Sequence, residues 1–487
     1  MANRKRSGRP PQPQHATKST PSQHDKRSRL AQANPGRRST TAASVPLVGG
    51  IAVLAGAMSR LLDKRIAFRL PIVIAGAMLA TGRRTAASWF RCAGVKDDWD
   101  RFYDLLAAIG RDAASVMLPL LRFILTKFDP GEGGYWTLAV DDSPTKRFGP
   151  QVQAANIHHN PTPGPADGEW LYGHNWVCLA MLLSHPLFGV IALPLLSRLY
   201  VRQLDIASLK ERYDWEFRTK HQLALDLLRH VMRTLRALGS KAGFIVVFDG
   251  AYAARELVRS LIDEGAVVVT RLRRDAKLFD VPDNEPGKRG RPRKYGKHRI
   301  RLIELAACPD GWQKIRYSCR GVMVERHCHT FLATSHVVGG MVRVVMLKHR
   351  DGNWAAYFST DVTMSVEAIL KVVSDRWAIE EHFHDVKEIW GAGKQQVRNV
   401  WSSIGCWNLC GWLYALVELE CWDQDAKQLV DRSDRPWDNP KRRPSHADRR
   451  RIIAGEMLRN EFLKDLDPGP DDAKIRDKFE RLLSLAV

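Results

Sequence analysis

Hydrophobic and polar positions in the first third of the chain repeat with helical spacing. Residues 47–58 and 70–80 form two short apolar stretches, with four basic residues between them. Neither stretch reaches the roughly 20 apolar residues that a bilayer-crossing helix needs. We expect Gly82 to end one helix and Thr85 to cap the next. The pattern therefore predicts a helical domain over residues 46–130.

Residues 81–95 carry small side chains, with Arg83 and Arg84 at the turn between two of these helices. This arrangement is typical of a helix-turn-helix, which inserts its second helix into the major groove of DNA. An ordinary tight turn in a small helical domain explains the same residues. Both interpretations stay open, and the helical domain is a candidate for DNA binding.

The middle of the chain switches to short apolar runs that alternate with amphipathic segments. An apolar stripe from Leu223 to Leu238, followed by Gly239, indicates a long helix. The other predicted elements are strands over 135–142, 172–183, 188–201, 244–249 and 266–270, and a helix over 253–263. Three strands, a helix, a strand and a helix is the order of an RNase H-like core, in which the first and fourth strands are neighbours. We predict the first part of this core over residues 131–270.

After this core the pattern changes twice. Short β-type runs, separated by loops rich in Gly, Pro and charge, lie at 299–305, 322–330 and 341–347. They predict a β-rich insertion over residues 271–360. Helical spacing returns over 361–422, and residues 423–487 form a basic tail with a helix near 449–462. The predicted fold class is α/β, an RNase H-like catalytic core interrupted by a β-rich insertion, with an N-terminal helical domain.

The charge of the chain points to a polyanionic partner. Lys and Arg number 75 against 53 Asp and Glu, which gives a formal net charge of +22. Such a balance favours nucleic acid binding, and a generally basic, soluble surface is the alternative. Residues 1–45 are rich in Ser, Pro, Gln and Arg, with Asp25 as their single acid. They cannot build a core, so we expect a disordered basic arm that adds solubility, phosphate contacts or both.

Eight cysteines without a repeated spacing argue against a disulfide framework and for a reducing compartment. Together with the high Ala, Arg and Trp content, this favours a bacterial cytoplasm. Five residues can be drawn as a zinc site: Cys308, Cys319, His327, Cys328 and His329. Their spacing matches no standard zinc pattern, so core or surface thiols are the better interpretation.

Three acidic residues stand where a metal-dependent nuclease would place them. Asp142 and Asp249 end two apolar runs, and Glu380 lies in a helical stretch. Such carboxylates can converge on a pair of divalent cations. Asp141 and Asp142 must point to opposite faces of their strand, so only one of them reaches the cations. We prefer Asp142, which precedes a small hydroxyl residue at the strand exit, and keep Asp141 as the alternative.

The helix around Glu380 carries two basic residues on the same face. At about 100° per residue, Arg376, Glu380 and Lys387 fall within roughly 60° of one another. Glu381 lies about 100° beyond Glu380 on the same helical wheel. Taken alone, this set is most often a solvated ion-pair ladder. Two strand-terminal aspartates earlier in a basic chain favour a catalytic face instead.

These motifs resemble those of a known family. The spacing of Arg376, Glu380 and Lys387, with the blocks Asp-Asp-Ser and Asp-Gly-Ala-Tyr, resembles the YREK group of the DDE transposases of bacterial insertion sequences. The resemblance implies that Asp142, Asp249 and Glu380 hold Mg²⁺ or Mn²⁺, two ions per site. It implies that Arg376 and Lys387 contact phosphates near the scissile bond. It also implies double-stranded DNA as the partner, at element ends and target, and a homodimer on DNA.

The chain departs from this family at one motif position. The family's tyrosine, three residues before the arginine, is Val373 here. A missing phenol would affect stabilisation of a DNA hairpin intermediate more than cleavage. Cleavage depends on the carboxylates and the cations. The family also has a β-rich insertion between its second Asp and its Glu. The 131 positions from Asp249 to Glu380 agree with such an insertion.

A second motif lies inside the predicted insertion. Arg289, Gly290, Arg291 and Pro292 form the core of a basic run that resembles an AT-hook. The arginines of such a segment can enter a narrow A·T minor groove. A basic surface loop is the alternative, and simple phosphate contact needs fewer assumptions than A·T reading.

Histidines cluster in the segment that follows the first predicted strand. They are His158, His159 and His174, and prolines mark the intervening residues as a loop. Sites for hard cations in phosphoryl transfer prefer oxygen ligands. We therefore predict a structural or DNA-contact role for these histidines.

The sequence as a whole predicts a transposase. It would cut DNA at the ends of its insertion sequence and join the 3′ ends to target DNA by two-metal phosphoryl transfer. One alternative is an RNase H-fold DNA endonuclease without strand transfer, which would give no joined products. The other is a catalytically decayed DNA-binding protein, which would not cut DNA with any metal.

Overall fold

A computed structural model describes residues 45–160, 163, 168–283, 291–349, 351–432, 437–464 and 472–486. The predicted basic arm lies outside these residues except for its last position. The first half of the AT-hook-like run, Arg289 and Gly290, also lies outside them.

The helices and strands follow the predicted order closely. The first part of the described chain is helical: α1 Gly49–Ser59, α2 Lys64–Ala67, α3 Arg69–Leu79, α4 Ala86–Cys92, α5 Trp99–Arg111, α6 Ala113–Val116 and α7 Leu118–Phe128. The core elements are β1 Tyr135–Lys146, β2 Asn156–His159, β3 Trp170–His185, β4 Gly189–Tyr200, α8 Ala207–Tyr213, α9 Lys220–Ala237, β5 Gly243–Phe248, α10 Arg255–Asp263 and β6 Ala266–Leu272. The insertion contains β7 Leu278–Phe279, β8 Arg299–Ile300, α11 Leu302–Ala307, β9 Gln313–Cys319, β10 Val322–Ser335, β11 Gly340–Lys348 and β12 Trp354–Ser359. The last helices are α12 Val366–Asp375, α13 Ala378–Glu388, α14 Val400–Glu420, α15 His446–Lys464 and α16 Asp472–Ala486.

The central sheet has the strand order expected for the predicted core. β1 pairs with β3 antiparallel and with β5 parallel, β4 pairs with β3, and β6 continues parallel to β5. The first and fourth long strands, β1 and β5, are therefore neighbours, as predicted. The α/β fold class is confirmed.

The insertion extends the same sheet and does not form a separate layer. β12 pairs with β6, and β11 and β10 follow in order. The predicted strand over 299–305 is wrong, because only Arg299–Ile300 is extended and α11 begins at Leu302. Leu302 is buried whereas Ile303 is largely exposed, so the apolar run has one buried helical face. A run this short does not separate helix from strand by periodicity.

The N-terminal helices pack on the core through a close helix crossing. A Cβ added to Gly110 of α5 would lie 1.9 Å from the carbonyl oxygen of Trp401, and one added to Gly405 of α14 would lie 1.9 Å from that of Leu106. Only bare backbone at both positions allows the two helices to approach so closely. The helices and the sheet belong to one compact unit.

The predicted cap at Thr85 is confirmed, because its side chain accepts a hydrogen bond from the Ser88 amide at the start of α4. Trp89 and Phe90 of this helix are fully buried, and Arg91 is exposed. DNA reading by this turn stays a prediction. In the part of the chain that the structure describes, no helix has the length and apolarity of a membrane span.

Candidate active site

The strand register decides which aspartate of β1 faces Asp249. Val140 of β1 is paired in parallel with Phe248 of β5, and the next residue on each strand is an aspartate, Asp141 and Asp249. Positions in register on neighbouring strands present their side chains to the same face of the sheet. Asp249 also accepts a hydrogen bond from the Ala251 amide at 2.8 Å, which caps the turn after β5. Asp141 and Asp249 therefore lie side by side.

The same face of β1 is covered by the C-terminal helices. Thr145 lies four residues beyond Asp141 and accepts a hydrogen bond from the Trp176 indole at 2.9 Å. The Trp176 ring stacks on Trp407 of α14, with ring centroids 4.9 Å apart. Asp141 thus points toward the layer that contains α13 and α14.

Arg376 links the strand carboxylate to the helix carboxylate. It lies at the junction of α12 and α13, and its Nη1 is 2.7 Å from Asp141 Oδ2. Its Nη2 is 2.8 Å from Glu380 Oε1. Arg376 precedes α13, which begins at Ala378, and this contact brings its side chain to Glu380 four positions further on. Arg376 thus joins Asp141 to Glu380, and the strand register places Asp249 beside Asp141.

Asp142 lies on the opposite face, so the preference for it as the first carboxylate of this cluster is corrected. Its carboxylate accepts a hydrogen bond from Lys220 Nζ at 2.6 Å and one from the Tyr252 hydroxyl at 3.2 Å. Lys220 begins α9, which packs on the other side of the sheet. The alternation of side chains along β1 places one aspartate on each face, and the face of Asp249 is that of Asp141.

Burial and charge both act on Asp141. Burial raises its pKa to about 7, the nearby charges of Asp249 and Asp142 act in the same direction, and Arg376 opposes the shift. A buried carboxyl beside two other acids holds its negative charge at a cost unless a cation accompanies it. This environment favours a bound cation.

Lys387 lies on the same face of α13 as Glu380, two helical turns further on. Burial lowers the pKa of its amine, and its charge interacts with Cys178 of β3. Cys178 is the antiparallel partner of Asp141 in the sheet. A contact of Lys387 with phosphates near the scissile bond stays a prediction.

A cleft of about 510 Å³ opens beside Asp249 and Arg376. One wall is the β9–β10 hairpin, whose tip rests on the α12–α13 junction. There the Arg320 amide donates to Ser374 Oγ at 3.1 Å, and the Arg320 guanidinium lies 4.3 Å from the centre of the Trp377 ring. Much of the lining is basic and aromatic, and Val373 is among its apolar members. The basic and aromatic residues include Arg271, Arg320, Arg326, Arg376, Tyr317, Tyr357 and Trp377.

Sequence reasoning missed the residues that this cleft adds. Arg271 follows Thr270, which pairs with Phe248, so it lies in register next to Asp249 and was recoverable from the strand pairing. Tyr357 is in turn paired with Arg271 across β12 and β6. Arg320 gave no sequence signal, because its position depends on how the hairpin folds back over α12.

The other predicted sites stay apart from the carboxylates. His158 and His174 are buried, and burial lowers their pKa values to about 4 and about 3, so both are neutral at pH 7. His174 Nε2 lies 2.9 Å from the Gln153 carbonyl oxygen, which agrees with a structural role. Arg291 and Pro292 are exposed in a loop of the insertion, and their contact with DNA stays a prediction.

The cysteines are free thiols in the structure. All eight are free, and five of them are buried. Among the described residues, no three His, Cys, Asp or Glu side chains are grouped closely enough to hold a metal ion. Cys308 and its neighbours therefore form no such group in the described structure, and neither do Asp141, Asp249 and Glu380.

The carboxylate oxygens nevertheless fit a divalent cation by their chemistry. Mg²⁺ and Mn²⁺ prefer carboxylate oxygen ligands. Asp141 and Glu380 already share one cationic group, the guanidinium of Arg376. Asp141 Oδ2 and Glu380 Oε1, which would bind a metal, thus both face the place that the Arg376 guanidinium occupies.

Part of the chain matches a known protein family. The family described as DDE superfamily endonuclease matches residues 58–322, more than half of the chain, including Asp141 and Asp249. No curated protein matches the chain. Among solved structures, a cryo-EM structure of the piggyBac transposase synaptic complex with hairpin DNA is similar at a TM-score of 0.35 and 10% sequence identity, over 92% of this chain and 79% of that chain.

Proposed function

The chain belongs to the DDE superfamily of endonucleases, and from this premise we propose that it is a transposase. It cuts DNA at the ends of its insertion sequence and joins the 3′ ends to target DNA. The observation that carries the proposal is that Asp141 and Glu380 both bind the Arg376 guanidinium, with Asp249 next to Asp141 in the strand register. Membership of the YREK group stays part of the proposal.

The three carboxylates are assigned to binding of Mg²⁺ or Mn²⁺, two ions per site. Asp141 takes the first position in place of Asp142, since Asp142 faces Lys220 on the other side of the sheet. Bound divalent cations activate a water or a 3′-hydroxyl and stabilise the leaving oxygen in phosphodiester displacement. Asp249 is held by the cap of its turn, and Glu380 is held on α13. The two carboxylates would therefore approach the ions from two sides.

Basic residues around the carboxylates position double-stranded DNA. Arg376 and Lys387 contact phosphates near the scissile bond, and Arg271 adds a cation at the adjacent strand. Arg291 and Pro292, in the exposed loop of the insertion, contact DNA further away. The net charge of +22 supports this partner. A homodimer that pairs two DNA ends is part of the same proposal.

The test uses purified protein and DNA that spans the flanks of its own gene, with Mg²⁺ or Mn²⁺. Glu380→Gln should abolish cutting while DNA binding is kept, because the carboxylate is lost and the surface is not. Glu381→Gln is the matched control, since Glu381 is the next residue on α13, is half-exposed and pairs only loosely with Arg443 at 3.8 Å. It should cut at nearly the wild-type rate.

Three results can be distinguished. Cuts at inverted repeats that depend on Glu380, followed by joining to a target, establish the transposase. Cuts without joined products identify an endonuclease without strand transfer. DNA binding without cutting in either metal refutes an active enzyme and identifies a decayed site.

A further inference from the structure

Arg376 is held tightly in its present position. Its guanidinium uses separate nitrogens for Asp141 and Glu380, at 2.7 Å and 2.8 Å. The side chains of Arg376 and Asp141 are each only 19% exposed. Charge-assisted hydrogen bonds in such partly dry surroundings are among the stronger polar contacts in a protein.

A divalent cation would need the same oxygens. Asp141 Oδ2 and Glu380 Oε1 accept from the guanidinium, and they are the oxygens that converge from β1 and α13. A metal ion at this position and the Arg376 charge beside it would repel each other strongly at short range. The two cations therefore exclude each other from this pair of carboxylates.

We infer that Arg376 sets the affinity of the site for divalent cations by competing for the oxygens of Asp141 and Glu380. The inference rests on the proposed function and deepens it. Metal loading then requires the guanidinium to leave both carboxylates. Arg376 acts on the cation through these carboxylates, in addition to any contact with DNA.

The neighbouring cleft indicates what favours this release. Arg376 lines the cleft together with Arg271, Arg320 and Arg326. A guanidinium that turned into a group of arginines would be repelled unless an anion lay among them. A DNA phosphate in the cleft supplies this anion and gives Arg376 a new partner. DNA binding and metal loading are thus positively coupled, and the coupling acts through Arg376.

The experiment measures Mn²⁺ binding to the full chain from the electron paramagnetic resonance signal of the free ion, which counts the ion whether or not DNA is cut. Wild type, Arg376→Gln and Arg271→Gln are titrated with and without a duplex of the gene flank, and DNA alone is the blank. Arg271→Gln is the control for loss of charge alone, because it removes one positive charge beside Asp249 and removes no hydrogen bond to Asp141 or Glu380. Arg376→Lys is the reserve variant if the glutamine variant does not fold.

Without DNA, we expect Arg376→Gln to bind Mn²⁺ about tenfold more tightly than wild type, the size of a typical coupling between sites. Arg271→Gln should show a clearly smaller gain. DNA should tighten Mn²⁺ binding to wild type by a similar factor and leave Arg376→Gln almost unchanged. With the lysine variant, which keeps the charge but cannot bridge both carboxylates, we expect an intermediate affinity.

Two results separate the failure of this inference from the failure of the proposed function. If Arg376→Gln binds Mn²⁺ no more tightly than Arg271→Gln, competition by Arg376 is refuted, and the metal site stands as long as Asp141→Asn and Glu380→Gln weaken Mn²⁺ binding. If Asp141→Asn and Glu380→Gln bind Mn²⁺ as well as wild type does, the carboxylates do not hold the cation. The proposed metal site then fails, and the inference fails with it.

Discussion

The close crossing of α5 and α14 predicts that alanine in place of Gly405 lowers the free energy of unfolding. The same change at Gly56, in open surroundings on α1, should raise it. Gly405→Ala places a methyl 1.9 Å from the Leu106 carbonyl oxygen, against 3.4 Å or more for ordinary contact. The helices must then separate by about 1.5 Å along this line, with loss of dispersion contacts on both sides. Overpacking of this kind costs about 1–3 kcal/mol.

Intrinsic helix propensity works in the other direction. Alanine in a helix interior is favoured over glycine by about 1 kcal/mol. The added methyl of Gly405→Ala meets backbone atoms, which cannot turn away, so the upper part of the overpacking range, about 2–3 kcal/mol, applies. We therefore expect a net loss of about 1–2 kcal/mol in the free energy of unfolding. Gly56→Ala is the matched control, because Gly56 lies inside α1 and an added Cβ meets nothing within 4 Å. It should gain up to about 1 kcal/mol.

Urea unfolding followed by tryptophan fluorescence measures both variants against the wild type. The test is whether the free energy of unfolding changes in opposite directions in the two variants, since both make the same chemical change in a helix. An unfolding midpoint for Gly405→Ala at or above that of the wild type would refute the close crossing of α5 and α14. A lower unfolding midpoint for Gly56→Ala than for the wild type would show that Gly56 does not have the open surroundings described.

Two further predictions concern the opposite face of the sheet and the acid limit of stability. Tyr252→Phe removes the hydroxyl that donates to Asp142. We expect the free energy of unfolding to fall by about 1 kcal/mol and DNA cutting to slow without being abolished. Complete loss of cutting would instead show that Tyr252 takes part in the reaction. Burial lowers the pKa of His174 to about 3, whereas its unfolded value is near 6.5. The unfolded state takes up the proton first, so stability falls as pH drops below about 6.5, by about 2 kcal/mol at pH 5. His174→Gln should reduce the difference between urea midpoints at pH 7 and pH 5, and an unchanged difference contradicts this cause.

The order of the core elements could be predicted because it depends on local patterns. The strands around Asp141 and Asp249 and the helix of Glu380 are each marked by apolar spacing in the residues beside them. The choice between Asp141 and Asp142 failed for a specific reason. Asp142 was placed at the strand exit, but β1 continues to Lys146, so neither aspartate lies at an end.

The cleft could not be predicted to the same extent. Its walls come from the core, the insertion and the α12–α13 junction, which meet only in the folded chain. Arg320 at the hairpin tip reaches Ser374, 54 positions away, through a backbone hydrogen bond. A contact between residues so distant in sequence leaves no periodic signal.

The continuity of the sheet across the insertion limits how this enzyme can be re-engineered. β12 is hydrogen-bonded to β6 of the core, with Phe358 opposite Thr270, and the chain runs from β12 directly into α12. Exchange of the insertion for that of a relative would therefore replace the strand that leads into α12 and the helix of Glu380. A chimera that keeps its own β6 and β12, and exchanges only the strands beyond them, would preserve the spacing between Asp249 and Glu380. Recombination boundaries placed there would let new surfaces be grafted beside an intact pair of Asp249 and Glu380.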